Sequence, residues 1–421
     1  MLSHLNHTLR RLPISRCRNI QFNNHTFSTS ISQEFLTNLR MIPEFVQAEQ
    51  HLQNKDSTTA TLSLERVQDI CDSSMGTTSP MSLSVHTMML NYLTSSFSTT
   101  TFDPKLKSLA YQTITRSTTE PNDMLTCAYL ALVLGKPDIV LNMTPSETTI
   151  DSYHANLHLH RGIAFAATNS TTEAIASLNQ AHDTFSQLDT TNETSELGQI
   201  HALNNLGCVY FAQATPPPST TTTEEATKQA TEQAIATWKK ALHLITTTSS
   251  SNPSTFSNAY KICEAEILSN LGNVHTETGD PNEGIVCLSR AVALLTEIHQ
   301  EYIIQHQIED NGTGHPNIVR PLTLLGRAHH ADSRAVSAEG YFRSALSLLD
   351  TKLATGVIAP TIQLQHLETL RMYASLMVDW ESRSGDYKIQ IQLANDMHQS
   401  IVNNGAVAVP MSMSLPIPNN V

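Results

Sequence analysis

The sequence predicts an all-helical fold, a solenoid of antiparallel helix pairs, on three observations. One spacing of large apolar and small residues recurs at four places along the chain. In its clearest copy, turn formers stand between two such spacings. And 421 residues exceed what one compact core usually encloses, which favours several domains or an elongated array.

The clearest copy starts with Leu268, Leu271, Gly272 and His275, at i, i+3, i+4 and i+7 of one helix face. Gly284, Leu288 and Ala291 follow at i, i+4 and i+7 of a second helix, and Gly279, Asp280 and Pro281 make the turn between. Two antiparallel helices pack closely only where small residues let their backbones approach, which Gly272 and Gly284 allow. The same offsets place Leu322, Leu325, Gly326 and His329 before Ala338, Phe342 and Ala345. They place His158, Arg161, Gly162 and Phe165 before Ala174, Leu178 and Ala181. A fourth copy joins Leu203, Leu206, Gly207 and Tyr210 to Ala234, Trp238 and Ala241 across an insertion rich in Pro and Thr. Such an insertion costs little closure entropy at a helix turn.

These segments resemble tetratricopeptide repeats, which carry large, Leu, Gly, aromatic and Ala positions over a 34-residue unit. The resemblance covers about residues 152–350, with repeats near 155–188, 200–247, 265–298 and 319–352. It implies a right-handed superhelix with a concave face lined by first helices. The chain departs from the family in lacking the Pro near the end of the second helix and in placing Arg161 at an apolar position.

The flanks are read in the same order. Residues 1–33 hold Arg10, Arg11, Arg16 and Arg18 and no acid, and Leu2, Leu5, Leu9 and Leu12 form one helical stripe ended by Pro13. That is the pattern of a mitochondrial transit peptide, processed somewhere between residues 17 and 33. Residues 34–120 are expected to be helical with degenerate repeats, one of them through Ala48, His51, Ala60, Leu64 and Val67. The stretch 121–402 forms the array with a terminal cap, and 403–421 is expected to be an extended or disordered tail. The Thr/Ser tracts "TSSFSTTT" and "TTTSSSNPST" are expected to be solvated loops.

Residues 34–421 carry a net charge of −17 against −13 for the whole chain, so an acidic body repels phosphate backbones and nucleic acid is excluded as the main partner. No run of 18 apolar residues is present to make a transmembrane helix; peripheral membrane association is compatible with that. Six Cys lack paired spacing, which points to neither a zinc site nor a disulfide framework. There is no GxSxG, no Gly-rich phosphate loop and no HExxH, so no enzyme and no cofactor is expected. His154 and His158 share a face, but no third ligand accompanies them and no metal is assigned. His158, His275 and His329 are read as partly buried packing residues, and Trp238 as core.

The resemblance implies that an Asn just before the Leu-Gly pair points into the groove and grips a partner's backbone. Asn205 and Asn270 hold that place, Asn273 lies one turn on, and Arg320 and Arg327 on the next first helix are candidates to receive an acidic side chain. A basic clamp for a terminal carboxylate is not matched, because its positions hold Leu159, Ile163, Asn205, Glu266 and Asn270. The expected function is a scaffold, adaptor or assembly factor in mitochondria, in the matrix rather than the membrane, with a peptide or subunit in the concave groove. The stretch "GHPNIVRPLTLLG" is similar to linkers of kinesin-light-chain-type repeats, which supports the alternative of a cytosolic cargo adaptor.

Overall fold

The computed structural model describes residues 39–53, 57–77, 79–98, 104–114, 121–144, 151–188, 193–215, 223–251, 257–306, 314–353, 360–378, 380, 383–403 and 413. The expected transit peptide at 1–33 lies outside them, as does the tail beyond 403 apart from Met413. Among the described residues there are sixteen α-helices and no strand.

Helices α1 (Pro43–Gln53) and α2 (Ser57–Met75) pack as a pair that buries Ala48, Ala60, Leu64 and Val67. Helices α3 (Pro80–Ser98) and α4 (Pro104–Ile114) lead to α5 (Pro121–Val133) and the short α6 (Pro137–Leu141). The array continues as α7 (Ser152–Ala167) with α8 (Thr171–Gln187), and α9 (Glu193–Ala214) with α10 (Glu224–Ser251). Next come α11 (Asn258–Glu277) with α12 (Pro281–His306), and α13 (Val319–Ala331) with α14 (Ala335–Leu353). Helices α15 (Pro360–Val378) and α16 (Ser384–Asn403) form the last pair. Each pair packs on the next, and the first helices α5, α7, α9, α11, α13 and α15 also touch in succession, so they form one continuous wall. This is a solenoid of tetratricopeptide-like pairs.

Four pairs share one turn. Gly135, Asn169, Gly279 and Ser333 all have positive φ, at 69°, 61°, 88° and 58°. In each, the next residue's N–H reaches back to a carbonyl five residues earlier, as Asp280 does to His275 at 2.8 Å and Arg334 to His329 at 2.8 Å. This left-handed cap satisfies the last carbonyls of the first helix and reverses the chain. The α5–α6 turn obeys the same rule, with Lys136 N–H on the Ala131 carbonyl at 2.8 Å.

The small residues do what the template requires. A Cβ on Gly272 would meet Leu288 Cγ at 2.5 Å and the Gly284 carbonyl oxygen at 3.0 Å. On Gly284 it would meet the Gly272 carbonyl oxygen at 2.8 Å. The other first helices use the vacated space for a large side chain: Leu178 against Gly162, Trp238 against Gly207, and Phe342 against Gly326. Arg161, at its family-atypical position, lies over the Phe165 ring at 5.6 Å and donates to the carbonyls of Leu141 (3.4 Å) and Met143, at the end of α6. Its charge thus sits where a helix C-terminus favours a cation.

The Thr/Ser tracts correct an expectation. Helix α3 runs to Ser98 and α10 to Ser251, each into a stretch read as loop. In α10 the hydroxyls of Thr246 and Thr247 bond back to the carbonyls of Leu242 and His243 at 2.7 and 3.1 Å. Hydroxyls satisfied inside the helix no longer compete with it.

Candidate functional site: the first-helix wall

From α7 to α13 the wall has a regular address, because each of these first helices carries a glycine where its second helix crosses. Three residues before that point stand Leu159, Asn204, Ser269 and Thr323; one residue after it stand Ile163, Cys208, Asn273 and Arg327. The same face therefore grades from apolar at α7 to polar at α13.

At the polar end the side chains form a ladder across successive helices. Asn204 in α9 has its backbone carbonyl fixed by Trp238 Nε1 at 3.1 Å. Its side-chain Oδ1 accepts from Asn270 Nδ2 of α11 at 2.9 Å, and that Nδ2 also lies 3.4 Å from Cys208 Sγ. Asn270 Oδ1 in turn accepts from Arg320 Nη2 of α13 at 2.7 Å. One turn along, Arg327 Nη1 donates to Asn273 Oδ1 at 3.1 Å, and Arg327 Nη2 pairs with Glu277. Glu266 accepts from Asn317 Nδ2 at 3.4 Å. Helix α15 adds Thr369, whose hydroxyl meets that of Thr323 at 2.8 Å, and Glu368. Burial holds the Glu368 carboxyl above its usual range, while the guanidinium groups of Arg320 and Arg327 pull it the other way.

The five predicted contact residues thus fall into two groups. Asn205 is 0% exposed and Asn270 2%, so both amides lie inside the packed array, and the hydrogen bonds of Asn270 join neighbouring helices. Asn273, Arg320 and Arg327 remain partly accessible; Arg327 joins Asn273 and Glu277, while Arg320 and Arg327 both act electrostatically on Glu368. Asn204 and Glu368 were not singled out from the sequence. Asn204 stands next to Asn205 in "NNLG", and only packing distinguishes the two. Glu368 lies in the cap, where no repeat register was readable.

The histidines fill packing positions. His158 is buried, and burial together with the Arg161 and His154 charges brings its pKa down to about 4. Burial, with His160 nearby, holds His201 down to about 4 as well, and His201 Nε2 lies 3.7 Å from Cys263 Sγ. His329 stacks on Tyr341 with ring centroids 5.2 Å apart, which is how it replaces the aromatic of the first helix. Among the described residues no group of three His, Cys, Asp or Glu is placed to hold a metal ion, and no helix is long and apolar enough to cross a membrane.

No family model matches the chain, and no curated protein matches it. Among solved structures the chain is similar to the crystal structure of the yeast Tom70, at 11% identity over 86% of this chain and 96% of that one, with a TM-score of 0.23. At that level the likeness carries no argument about function.

Proposed function

We propose that this protein is an interaction scaffold that receives an extended segment of a partner protein along its first-helix wall. The observation that supports this most is the polar network of Asn273, Arg327, Glu277 and Glu368. It is partly accessible, and Arg327 of α13 ties it to Asn273 and Glu277 of α11, with the Glu368 carboxyl of α15 in the field of the same guanidinium. Amide and guanidinium groups held this way can exchange internal partners for the backbone carbonyls of an incoming strand at little ordering cost. Asn270 and Arg320 act behind them, as positioning residues that fix the spacing of α9, α11 and α13.

Under this reading the scaffold is an adaptor or assembly factor of mitochondria, on the strength of the acid-free, Arg-rich, amphipathic N-terminus. Residues 1–35 fused to a fluorescent reporter should direct it to mitochondria; diffuse cytosolic fluorescence would favour the cytosolic adaptor instead. For the groove, the double substitution Asn273→Ala with Arg327→Glu should abolish recovery of the proteins labelled by proximity to the wild-type chain, with helical circular dichroism unchanged. Recovery of the same proteins by the variant would remove the wall from the account.

A further inference from the structure

The last pair of the array leaves a cleft away from the polar network of the wall. It lies between α14, the C-terminal half of α15 and the start of α16, with a volume of about 660 Å³. Small-ligand sites span roughly 300–1,000 Å³. Leu346 of α14, Met377 of α15 and Ile389 of α16 give the cleft apolar sides. Ile389 is 60% exposed, so this apolar surface faces water.

The polar groups here divide into engaged and open ones. Arg343 Nη2 and Arg383 Nη1 both meet Glu339 Oε1, at 2.7 and 2.9 Å. Arg343 Nε donates to the Tyr373 hydroxyl at 3.3 Å, and that hydroxyl donates to Glu339 at 3.1 Å. Arg383 Nε donates to Asp386 Oδ2 at 2.7 Å. Both cations are thus held by the protein itself. Two acceptors are not. The Asp350 carboxylate, also lining the cleft, makes no hydrogen bond or ion pair among the described residues. Gln390 Oε1 is shut off from solvent and accepts no hydrogen bond among them. A buried carbonyl oxygen without a donor is unfavourable, and the soft terminal torsion of Gln lets it turn to one that enters.

The charge balance selects the donor. The carboxylates of Glu339, Asp350 and Asp386 stand against the guanidinium groups of Arg343 and Arg383, three against two, so the lining keeps a negative charge. His366, within the field of Asp350, has its pKa lowered by burial and adds no cation at pH 7. An anionic ligand would meet repulsion, whereas an ammonium brings three donors and no acceptor.

We propose that this cleft binds a small aliphatic amine, its ammonium held by Asp350 and Gln390 and its stem laid along Leu346, Met377 and Ile389. The arginines act as positioning residues, since their bonds to Glu339, Tyr373 and Asp386 tie α14, α15 and the start of α16 together around the site. The site shares no residue with the wall network of Asn273, Arg327, Glu277 and Glu368, so it stands apart from the function proposed above.

Isothermal titration of the full-length chain with pentylamine, pentanoate and Nα-acetyl-lysine amide tests this. The chains compared are wild type, Asp350→Asn, Gln390→Leu and, as an exposed acidic control on α10, Glu225→Gln. Circular dichroism checks that all four fold. Pentylamine should saturate wild type and Glu225→Gln alike, bind Asp350→Asn and Gln390→Leu at least tenfold more weakly, and pentanoate should not bind. Absence of saturable pentylamine binding to wild type overturns the proposal. Equal binding to all four chains does so too, as diffuse attraction to an acidic body. Tighter binding of pentanoate overturns it in favour of the guanidinium groups as an anion site. Nα-acetyl-lysine amide binding tenfold tighter than pentylamine would replace the free amine by a lysine of another protein.

Discussion

Asn270 shows how much depends on a single side chain here. Its amide nitrogen donates to Asn204 and its oxygen accepts from Arg320, so it joins three helices that are far apart in sequence. Asn270→Ala leaves the Asn204 oxygen and an Arg320 donor without that partner in a nearly dry setting, a loss of about 1–3 kcal/mol of stability. Chemical denaturation should show a lower midpoint with an unchanged slope; an unaltered midpoint would mean that water replaces the amide freely. The residue was legible in the sequence as a special amide, through its place before Leu271 and Gly272. Its burial was not, because an amide facing a groove and one tying two helices together have the same spacing. What separates them is Arg320, fifty positions away in the chain. His158 and His329, by contrast, were readable as packing residues, because their repeat register already assigned them to an interior face.

At the scale of an element, the turn and the crossing point make the repeat. Ser333 holds a left-handed conformation at φ 58° where Gly135 and Gly279 hold theirs without a Cβ. Ser333→Gly should therefore raise the stability by about 0.5–1 kcal/mol, relief of that conformation exceeding the added chain entropy. Thermal melting checks this, and a lower melting temperature would contradict it. At the crossing, Gly272→Ala drives a methyl against the Leu288 side chain and the Gly284 backbone and should cost about 1–3 kcal/mol. The same change at Gly340, where a Cβ meets open space, should not destabilise the chain. The crossing points could be read because they need a residue of one size at one offset. The ends of α3 and α10 could not, since a Thr/Ser tract bonds equally well to its own helix or to water.

For the molecule as a whole, two desolvated histidines set a pH dependence with a definite sign. His158 and His201 have folded pKa values of about 4, below the roughly 6.5 of an unfolded chain. Between those values the unfolded chain binds more protons, so their contribution to stability is present above about 6.5 and is lost as pH falls toward 4. Glu264 and Glu368, raised by burial, act in the opposite direction, so the clean comparison is within one series. The melting temperature of His158→Gln should fall less between pH 7 and pH 5 than that of wild type; parallel curves would contradict the assignment. At this scale the array was legible from its period, whereas the burial of Met413 was not, because no repeat register extends to it. The central claim is that partners meet the first-helix wall and not the second-helix face. Photo-crosslinking amino acids placed singly at Asn273 and at exposed Val286 of α12 test it in cells. The account predicts discrete protein adducts from position 273 that are absent from position 286; adducts from 286 alone, or the same adducts from both, would contradict it.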